Sequence, residues 1–546
     1  MAALPLERFL YWEQEQPDRI FLRQPVNGVW KTWTWAQAGE QCRRLAAGLL
    51  SKGINPGDHV ALLSKNCAEW ILTDLAIMMA GAVSIPLYPT LTAASIRTIL
   101  VHSDSKAVIV GKLDNFKDQQ QGIPEQVQQF GMKTYDTASE NSWESIIEEH
   151  QPLTDLHKWS PDEIFTIIYT SGTTGNAKGV MHKTSAFGIV LEKVTALLKI
   201  PPKPIMFSYL PLSHVAERMA VEMNVLYNGG TISFAESLDT FQANLESVQP
   251  HAFFAVPRIW AKFREGILKK LPQQKLNTLL KIPIIRSIIK KSIRKKLGLA
   301  NASIILSAAA PISVELLEWF DALGIRILQV YGMSEDSVYG HFNTHEQNKF
   351  GSVGKPLEGL QVKFSDQGEI LVKSPGNFVG YYKEEALSKE SFDEENYLRT
   401  GDKAEYDADG FLFITGRVKD QFKTDKGKYV SPAPIELKLH SNKLIEQVCV
   451  VGMGIPQPIA LITLSEVGKK QSQEEVVSEL SNLLSEVNPS LEHFERLEKM
   501  VILKNDWTVE NGFMTPTLKV KRNELEKVFL PHYPEWYHSK RKVVWE

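Results

Sequence analysis

Short apolar runs alternate with segments of helical length along most of the chain. Residues 60–63 predict a buried strand, the spacing of apolar residues over 67–80 predicts a helix, and 81–86 predict a second strand that ends at Pro86. A helix over 93–101 and a strand over 107–110 are predicted to follow. This alternation favours a parallel sheet covered by helices.

The alternation of predicted strands and helices continues along the chain and then changes. Further strands are predicted at 164–169, 205–210, 252–256, 304–307 and 327–330. Beyond Val362 the predicted strands are shorter and separated by turn signals, and the charged stretch 417–428 predicts a linker. We therefore predict an α/β fold with a large multi-sheet N-terminal body (1–416) and a small α+β C-terminal domain (417–546), joined by a hinge.

Length and charge narrow the class of protein. A chain of 546 residues is expected to form two or more domains, and a formal charge of −3 gives no general attraction to nucleic acid. The three cysteines, Cys42, Cys67 and Cys449, lack metal-ligand spacing and predict reduced core thiols. The N-terminus lacks the layout of a secretory signal, and the apolar window 70–88 is too interrupted to span a membrane. These features predict a cytoplasmic protein.

The segment 169–180 carries the clearest chemistry. It reads Tyr-Thr-Ser-Gly-Thr-Thr-Gly-Asn-Ala-Lys-Gly-Val and directly follows a predicted strand. Its glycines let backbone N–H groups approach an anion, its hydroxyls add donors, and Lys178 adds a mobile charge. The segment therefore predicts a phosphate-binding loop, although it lacks the GxxxxGK[ST] pattern of a P-loop. On the chemistry of the loop alone, an ordinary polar turn remains the alternative.

Seven further motifs follow in order. They are Leu-Pro-Leu-Ser-His at 210–214 with Glu217 and Arg218, Val-Pro-Arg-Ile-Trp at 256–260, Ala-Ala-Ala-Pro at 308–311, Tyr-Gly-Met-Ser-Glu at 331–335, Thr-Gly-Asp at 400–402, Gly-Arg at 416–417 and Thr-Pro-Thr-Leu-Lys-Val-Lys-Arg at 515–522. With the loop, they resemble the adenylate-forming superfamily of acyl-CoA synthetases, luciferases and peptide-synthetase adenylation domains. The resemblance covers nearly the whole chain, and the motifs at 210–218, 256–260 and 515–522 look most like the long-chain fatty acyl-CoA branch.

The resemblance implies an AMP-forming acid–thiol ligase. ATP would activate a medium- to long-chain fatty acid as acyl-AMP, and coenzyme A would then accept the acyl group. The implied ATP site consists of Thr170, Ser171, Gly172, Thr173, Thr174, Gly175, Lys178, Ala309, Tyr331, Gly332, Ser334, Asp402 and Arg417. Lys178 would hold the β- and γ-phosphates, Tyr331 would pack on the adenine, and Asp402, assisted by Arg417, would accept the ribose hydroxyls.

The remaining implied roles concern the metal, the acid and the second half-reaction. Glu335 would bind Mg²⁺, Lys519 would reach the acyl carboxylate and the α-phosphate, and His214 would lie near the carboxylate. Lys419 occupies the hinge position, 424–430 would face inward for thioester formation, and 336–342 would line the acyl tunnel. Without the resemblance, Glu335 is a solvated or helix-capping residue, and 400–402 is a turn with Arg417 at the surface. Lys519 is then part of an exposed basic run, and His214 is a structural histidine.

The segment 262–296 is strongly basic. It holds twelve Lys or Arg and a single Glu, interleaved with leucines and isoleucines. This pattern favours either a peripheral contact with an anionic membrane or a solvated helical face, and Pro283 breaks a continuous helix.

Several positions depart from the family pattern. Ala177, Ala308, Ser334 and Leu518 stand where Pro, Gly, Thr and Gly are usual, and Lys426 stands where many relatives have a second Gly. The last departure makes the coenzyme A half-reaction the less secure one. Two alternatives therefore stay open: an acyl-AMP ligase that loads a carrier protein, and a non-catalytic acyl- or nucleotide-binding relative. A luciferase-like oxygenase would share the first step.

Overall fold

The computed structural model describes residues 3–137, 139–171, 177–440, 442–515 and 517–546. The strands are β1 Ile20–Val26, β2 Val29–Thr34, β3 His59–Leu63, β4 Val83–Leu87, β5 Ala107–Val110, β6 Gln128–Gly131, β7 Asn141–Ser142, β8 Ile164–Ser171, β9 Ala177–Lys183, β10 Ile205–Ser208, β11 Thr231–Phe234, β12 Ala252–Ala255, β13 Ile304–Ser307, β14 Leu328–Tyr331, β15 His341–Phe342, β16 Lys355–Pro356, β17 Gln361–Phe364, β18 Glu369–Lys373, β19 Leu398–Tyr406, β20 Leu412–Arg417, β21 Phe422–Lys423, β22 Tyr429–Val430, β23 Ile445–Val451, β24 Ile459–Leu464, β25 Lys499–Ile502 and β26 Val543–Trp545.

The helices lie mostly between these strands. They are α1 Pro5–Glu15, α2 Trp35–Ser51, α3 Ala68–Met79, α4 Ala93–His102, α5 Phe116–Gln119, α6 Trp143–Glu149, α7 Thr184–Leu198, α8 Val215–Glu217, α9 Asn224–Asn228, α10 Phe241–Val248, α11 Pro257–Lys270, α12 Gln273–Leu280, α13 Pro283–Lys296, α14 Val314–Ala322, α15 Glu385–Glu390, α16 Pro432–Leu439, α17 Gln473–Val487, α18 Arg522–Phe529 and α19 Tyr533–His538. The first residues of several helices are capped by side chains; Thr34, for example, accepts from the N–H of Gln37.

Two large sheets form the N-terminal body. One has the strand order β7-β6-β5-β3-β4-β8-β9, and the other has the order β16-β15-β14-β13-β12-β10-β11-β1-β2. Their central strands pair in parallel and are buried, and α3, which is buried along its whole length, packs in the core between them. Nearly continuous apolar strands are what a parallel sheet covered on both faces requires.

A third sheet and a separate C-terminal core complete the fold. The sheet β17-β18-β19-β20 is antiparallel, and the sheet β23-β24-β25-β26 belongs to the C-terminal domain, with α16 and α17 in its core. The α/β fold with a multi-sheet body and a smaller C-terminal domain is therefore confirmed. In the described part of the chain, no helix is long and apolar enough to cross a membrane.

Most predicted strands occur within two residues of their predicted ends, but two details were wrong. Pro86 does not end β4; it lies inside the strand opposite Leu62, in the middle of the sheet. The predicted linker 417–428 is partly folded into the C-terminal domain, because β21 and β22 pair within and just beyond it and Phe422 is buried in the C-terminal core. The three cysteines are free and buried, as predicted.

Candidate active site

The middle of β19 and the ends of β14 and β20 bring three predicted nucleotide ligands together. Asp402 on β19 lies opposite Arg417 on β20, and the Nε of Arg417 donates to one carboxylate oxygen at 2.9 Å. The hydroxyl of Tyr331, at the end of β14, donates to the other oxygen at 2.7 Å. Because each carboxylate oxygen accepts more than one hydrogen bond, Asp402 keeps capacity for two ribose hydroxyls.

The charges in this group support one another. Burial, and then the neighbouring Asp402 carboxylate, raise the pKa of Tyr331, so its hydroxyl stays protonated and donates. The same carboxylate raises the pKa of Arg417. The group is therefore a fixed acceptor flanked by two donors, which suits a diol ligand.

A second group lies beside the hairpin of β8 and β9. Lys178 pairs in register with Thr170, and its Nζ lies 5.3 Å from the centre of the Tyr381 ring. The hydroxyl of Tyr381 donates to Oε1 of Glu335 at 2.8 Å. Tyr381 thus bridges the lysine predicted to hold phosphates and the glutamate predicted to hold the metal.

Glu335 fits a magnesium ion that arrives with a nucleotide. Among the residues described, no group of three or more His, Cys, Asp or Glu side chains could form a metal cage. Magnesium commonly uses one or two carboxylates with phosphate oxygens and water as its other ligands. The half-buried Glu335 carboxylate, with one oxygen oriented by Tyr381, matches that mode of binding.

The C-terminal domain contributes Lys519 to the same region. Its backbone N–H donates to Oγ1 of Thr515 at 3.0 Å, and Thr515 N–H donates back to its carbonyl at 2.8 Å. The side chain keeps contact with solvent, but removal of surrounding water and the positive charge of Arg417 lower its pKa, against the effect of Asp402 and Glu335. Lys519 therefore shares one electrostatic environment with both groups.

The basic run around Lys519 does not behave as one exposed face. Arg522 is directed into the C-terminal domain, where Nη2 donates to Glu436 at 2.6 Å. Lys521 precedes α18 and forms no ion pair within the described residues. Leu518 has a φ of +59°, a left-handed conformation that favours glycine, and this explains why glycine is usual at this position.

His214 lies at the start of α8 and caps it. Its Nδ1 accepts from the N–H of Ala216 at 3.1 Å, so the ring proton is on Nε2. Burial, and then the charge of Lys519, lower the pKa of His214 to about 4, so the ring is neutral at physiological pH. A structural capping role is thus present, and the Nε2–H remains a neutral donor.

The other predicted residues have varied placements. Gly172, Thr173, Thr174 and Gly175 lie outside the described residues, and Thr170 and Ser171 end β8. Ala309 has a φ of +71°, Ser334 is buried, and a Cβ on Gly332 would lie 2.8 Å from the Cα of Val338. Lys419 is exposed in the turn after β20.

Comparisons with known proteins identify the family. The model of the AMP-binding enzyme family matches residues 9–382, and that of the AMP-binding enzyme C-terminal domain matches residues 419–541. The chain belongs to the AMP-binding enzyme family.

Relatives of this AMP-binding enzyme cover nearly its full length. It is 29% identical to the long-chain-fatty-acid–CoA ligase FadD15 of Mycobacterium bovis, over 97% of this chain and 95% of that one. It is 27% identical to the long-chain-fatty-acid–CoA ligase ACSBG2 of Xenopus laevis, over 96% and 82%. Two solved structures share the fold: the adenylation domain of a Mycobacterium chelonae carboxylate reductase (TM-score 0.84, 20% identity, 98% and 91% coverage) and the Bacillus subtilis o-succinylbenzoate-CoA synthetase with AMP (TM-score 0.76, 22% identity, 96% and 98% coverage).

Sequence reasoning missed two residues of this AMP-binding enzyme that support the site. Tyr381 is 46 residues from Glu335, and no spacing links the two. Glu217, a member of the motif at 210–218, is buried, and its Oε1 accepts from Ser208 Oγ at 2.9 Å and from Tyr209 N–H at 3.0 Å. Burial raises its pKa to about 8. A buried acid three residues after His214 was the only signal available.

Proposed function

We propose that this AMP-binding enzyme is a long-chain-fatty-acid–CoA ligase that forms acyl-AMP and then acyl-CoA. Full-length similarity to ligases of that name supports the substrate class. The observation that carries the proposal is the hydrogen-bonded group of Asp402, Tyr331 and Arg417, because adenylation needs a nucleotide held in a fixed position while its phosphates react.

In the first half-reaction, a carboxylate oxygen of the fatty acid attacks the α-phosphorus of ATP. The bond from that phosphorus to the bridging oxygen breaks, and pyrophosphate leaves with the electron pair. Lys519 neutralises charge on the acyl carboxylate and the α-phosphate, and Lys178 holds the departing phosphates. Asp402 accepts the ribose hydroxyls between Tyr331 and Arg417.

Glu335 would hold Mg²⁺, which neutralises phosphate charge when bound. Ser334 would contact the α-phosphate, and the neutral His214 would donate from Nε2 to the acyl carboxylate. No general base is required, because the acid is already ionised at neutral pH.

In the second half-reaction, the thiolate sulfur of coenzyme A attacks the acyl carbonyl carbon, and AMP leaves as the carbon–oxygen bond breaks. We propose that the C-terminal domain rotates about Lys419 between the half-reactions, removing Lys519 and bringing 424–430 towards the site. The exposure of Lys419 in a turn between β20 and β21 supports this position for the hinge.

The proposal also covers location. Free buried thiols suit a reducing cytoplasm, and the basic segment 262–296 is proposed to contact a membrane peripherally, where long-chain acids partition.

The decisive experiment measures acyl-CoA and AMP from ATP, Mg²⁺, coenzyme A and saturated acids of increasing chain length. We expect both products from the wild type and Lys521→Ala, and loss of adenylation in Lys519→Ala. Acyl-AMP that accumulates without acyl-CoA, and is consumed only when a carrier protein is added, would assign the acceptor to a carrier. Absence of both products with every acid would refute the ligase function.

A further inference from the structure

Two helices of the basic segment project isoleucines into solvent. The helical hairpin consists of α12, α13 and the turn between them, residues 273–296. Ile282, Ile284 and Ile288 are 45%, 77% and 62% exposed, and no residue of α13 is buried. Large aliphatic side chains this exposed, side by side on one surface, indicate a contact site.

The hairpin cannot bury these side chains by rotating on the body. On its inner side Leu276 is buried and Ile293 packs against the core of the N-terminal body. Arg294 donates to the carbonyls of Ala302 at 2.7 Å and Gly324 at 2.9 Å, which fixes the end of α13. Residues 284 and 288 lie one turn apart on the opposite, outward side of the helix.

Pro283 helps to form this surface. It is the first residue of α13, a position where the backbone N–H has no partner within the helix, so proline is tolerated there. The helix break predicted at Pro283 is therefore a corner between α12 and α13. The corner places Ile282 and Ile284 on either side of the turn, at the tip of the hairpin. The isoleucines at the tip are therefore exposed together even though Pro283 prevents one continuous helix through the segment.

Cations surround the isoleucines without partners. Within the described residues, none of the Lys and Arg side chains of the hairpin and its turn forms an ion pair: Lys275, Lys281, Arg286, Lys290, Lys291, Arg294, Lys295 and Lys296. The single acid of the segment 262–296, Glu265, is already paired with Lys269 at 2.9 Å. An apolar tip ringed by unpaired cations is complementary to anionic headgroups above an apolar interior.

We infer that the helical hairpin 273–296 docks on an anionic lipid bilayer, with Ile282, Ile284 and Ile288 inserted at the level of the headgroups and the surrounding lysines against lipid phosphates. This narrows the proposed peripheral contact to one surface. It does not depend on ligase activity, because docking is measured without substrates.

The test is co-sedimentation of the full-length protein with vesicles of phosphatidylcholine alone or with added phosphatidylglycerol. Binding is expected only to the anionic vesicles and is expected to weaken as salt rises. Ile284→Ser/Ile288→Ser should bind at least about tenfold more weakly, because insertion energy scales with buried apolar area. Lys291→Glu/Lys295→Glu should lose at least about tenfold as well.

Matched controls lie in the C-terminal domain. Val528→Ser removes an aliphatic side chain that is 49% exposed, and Lys469→Glu/Lys527→Glu changes the charge equally at lysines that are already ion-paired. Neither should alter binding. Equal binding to both vesicle types, or equal loss in controls and hairpin variants, would overturn the inference. Self-association in solution that Ile284→Ser/Ile288→Ser abolishes would assign the surface to a second copy of the chain and overturn it too.

Discussion

Replacing Tyr381 with Phe tests whether the Tyr381 hydroxyl orients the carboxylate of Glu335. The ring would remain, and with it the contact to Nζ of Lys178 at 5.3 Å, while the hydrogen bond of 2.8 Å to Glu335 would be lost. Burial and the neighbouring Glu335 raise the pKa of Tyr381, so the hydroxyl is a donor at every assay pH of interest.

The size of the effect follows from the type of bond. A hydrogen bond to a charged group contributes about 1.5–3 kcal/mol, which corresponds to roughly 10- to 150-fold in rate. We expect kcat/KM for ATP–pyrophosphate exchange to fall within that range in Tyr381→Phe. Affinity for ATP, measured by calorimetry, should fall more with Mg²⁺ present than without it, because the oriented Glu335 oxygen matters only when the metal is bound.

The adjacent tyrosine is the matched control. The hydroxyl of Tyr382 donates to the exposed Asp104 at 2.9 Å, away from Glu335, so Tyr382→Phe should exchange pyrophosphate at the wild-type rate. If the two Phe variants differ by less than about twofold, Tyr381 does not position Glu335 and the reasoning fails.

Three further predictions concern stability. Arg218→Met should lower the unfolding free energy by about 3–5 kcal/mol in urea titrations, because it leaves Asp74 and Glu222 buried without their shared cation. The control Arg326→Met, at an exposed ion pair, should lower the unfolding free energy by under about 1 kcal/mol. Burial raises the pKa of Glu217 from 4.5 to about 8, so between these pH values the side chain keeps its proton in the folded state and loses it in the unfolded state. As pH rises through this interval, the unfolding free energy of the wild type should fall by up to about 1.4 kcal/mol per pH unit relative to that of Glu217→Gln. Parallel pH profiles of the two proteins would contradict this. At the left-handed position 518, Leu518→Val should unfold more easily than Leu518→Gly by about 1 kcal/mol in the same titration, and equal midpoints would remove the strain argument.

Much of the body was predictable because its strands are buried on both faces. Runs such as 304–307 stand out as continuous apolar segments, and β13 has the same bounds in the structure. Pro86 was misjudged because a proline usually ends a central strand, but here it is accommodated opposite Leu62. The ribbon of β21 and β22 was missed because each strand has only two residues, and only Phe422 is apolar and buried in the first of them.

The site was predictable as a set of motifs but not as a set of contacts. The resemblance identified Tyr331, Asp402 and Arg417 as site residues. The hydrogen bonds among them depend on the register of β19 and β20 and on the contact of these strands with β14 of another sheet, and neither can be read from local sequence. The basic run at 519–522 shows the limit most clearly, because three similar side chains take three different environments. Only the fold of the C-terminal domain distinguishes them.

One departure from the family pattern, Leu518, has a consequence that the structure explains. Leu518 adopts the left-handed backbone that glycine adopts without strain, and it directly precedes Lys519. A leucine there restricts the backbone of the loop, whereas a glycine would leave it free to adopt other conformations once the phosphates have left. In the proposed rotation, the same lysine leaves the site before coenzyme A enters, so a stiffer loop is expected to slow that exchange more than the adenylation that precedes it.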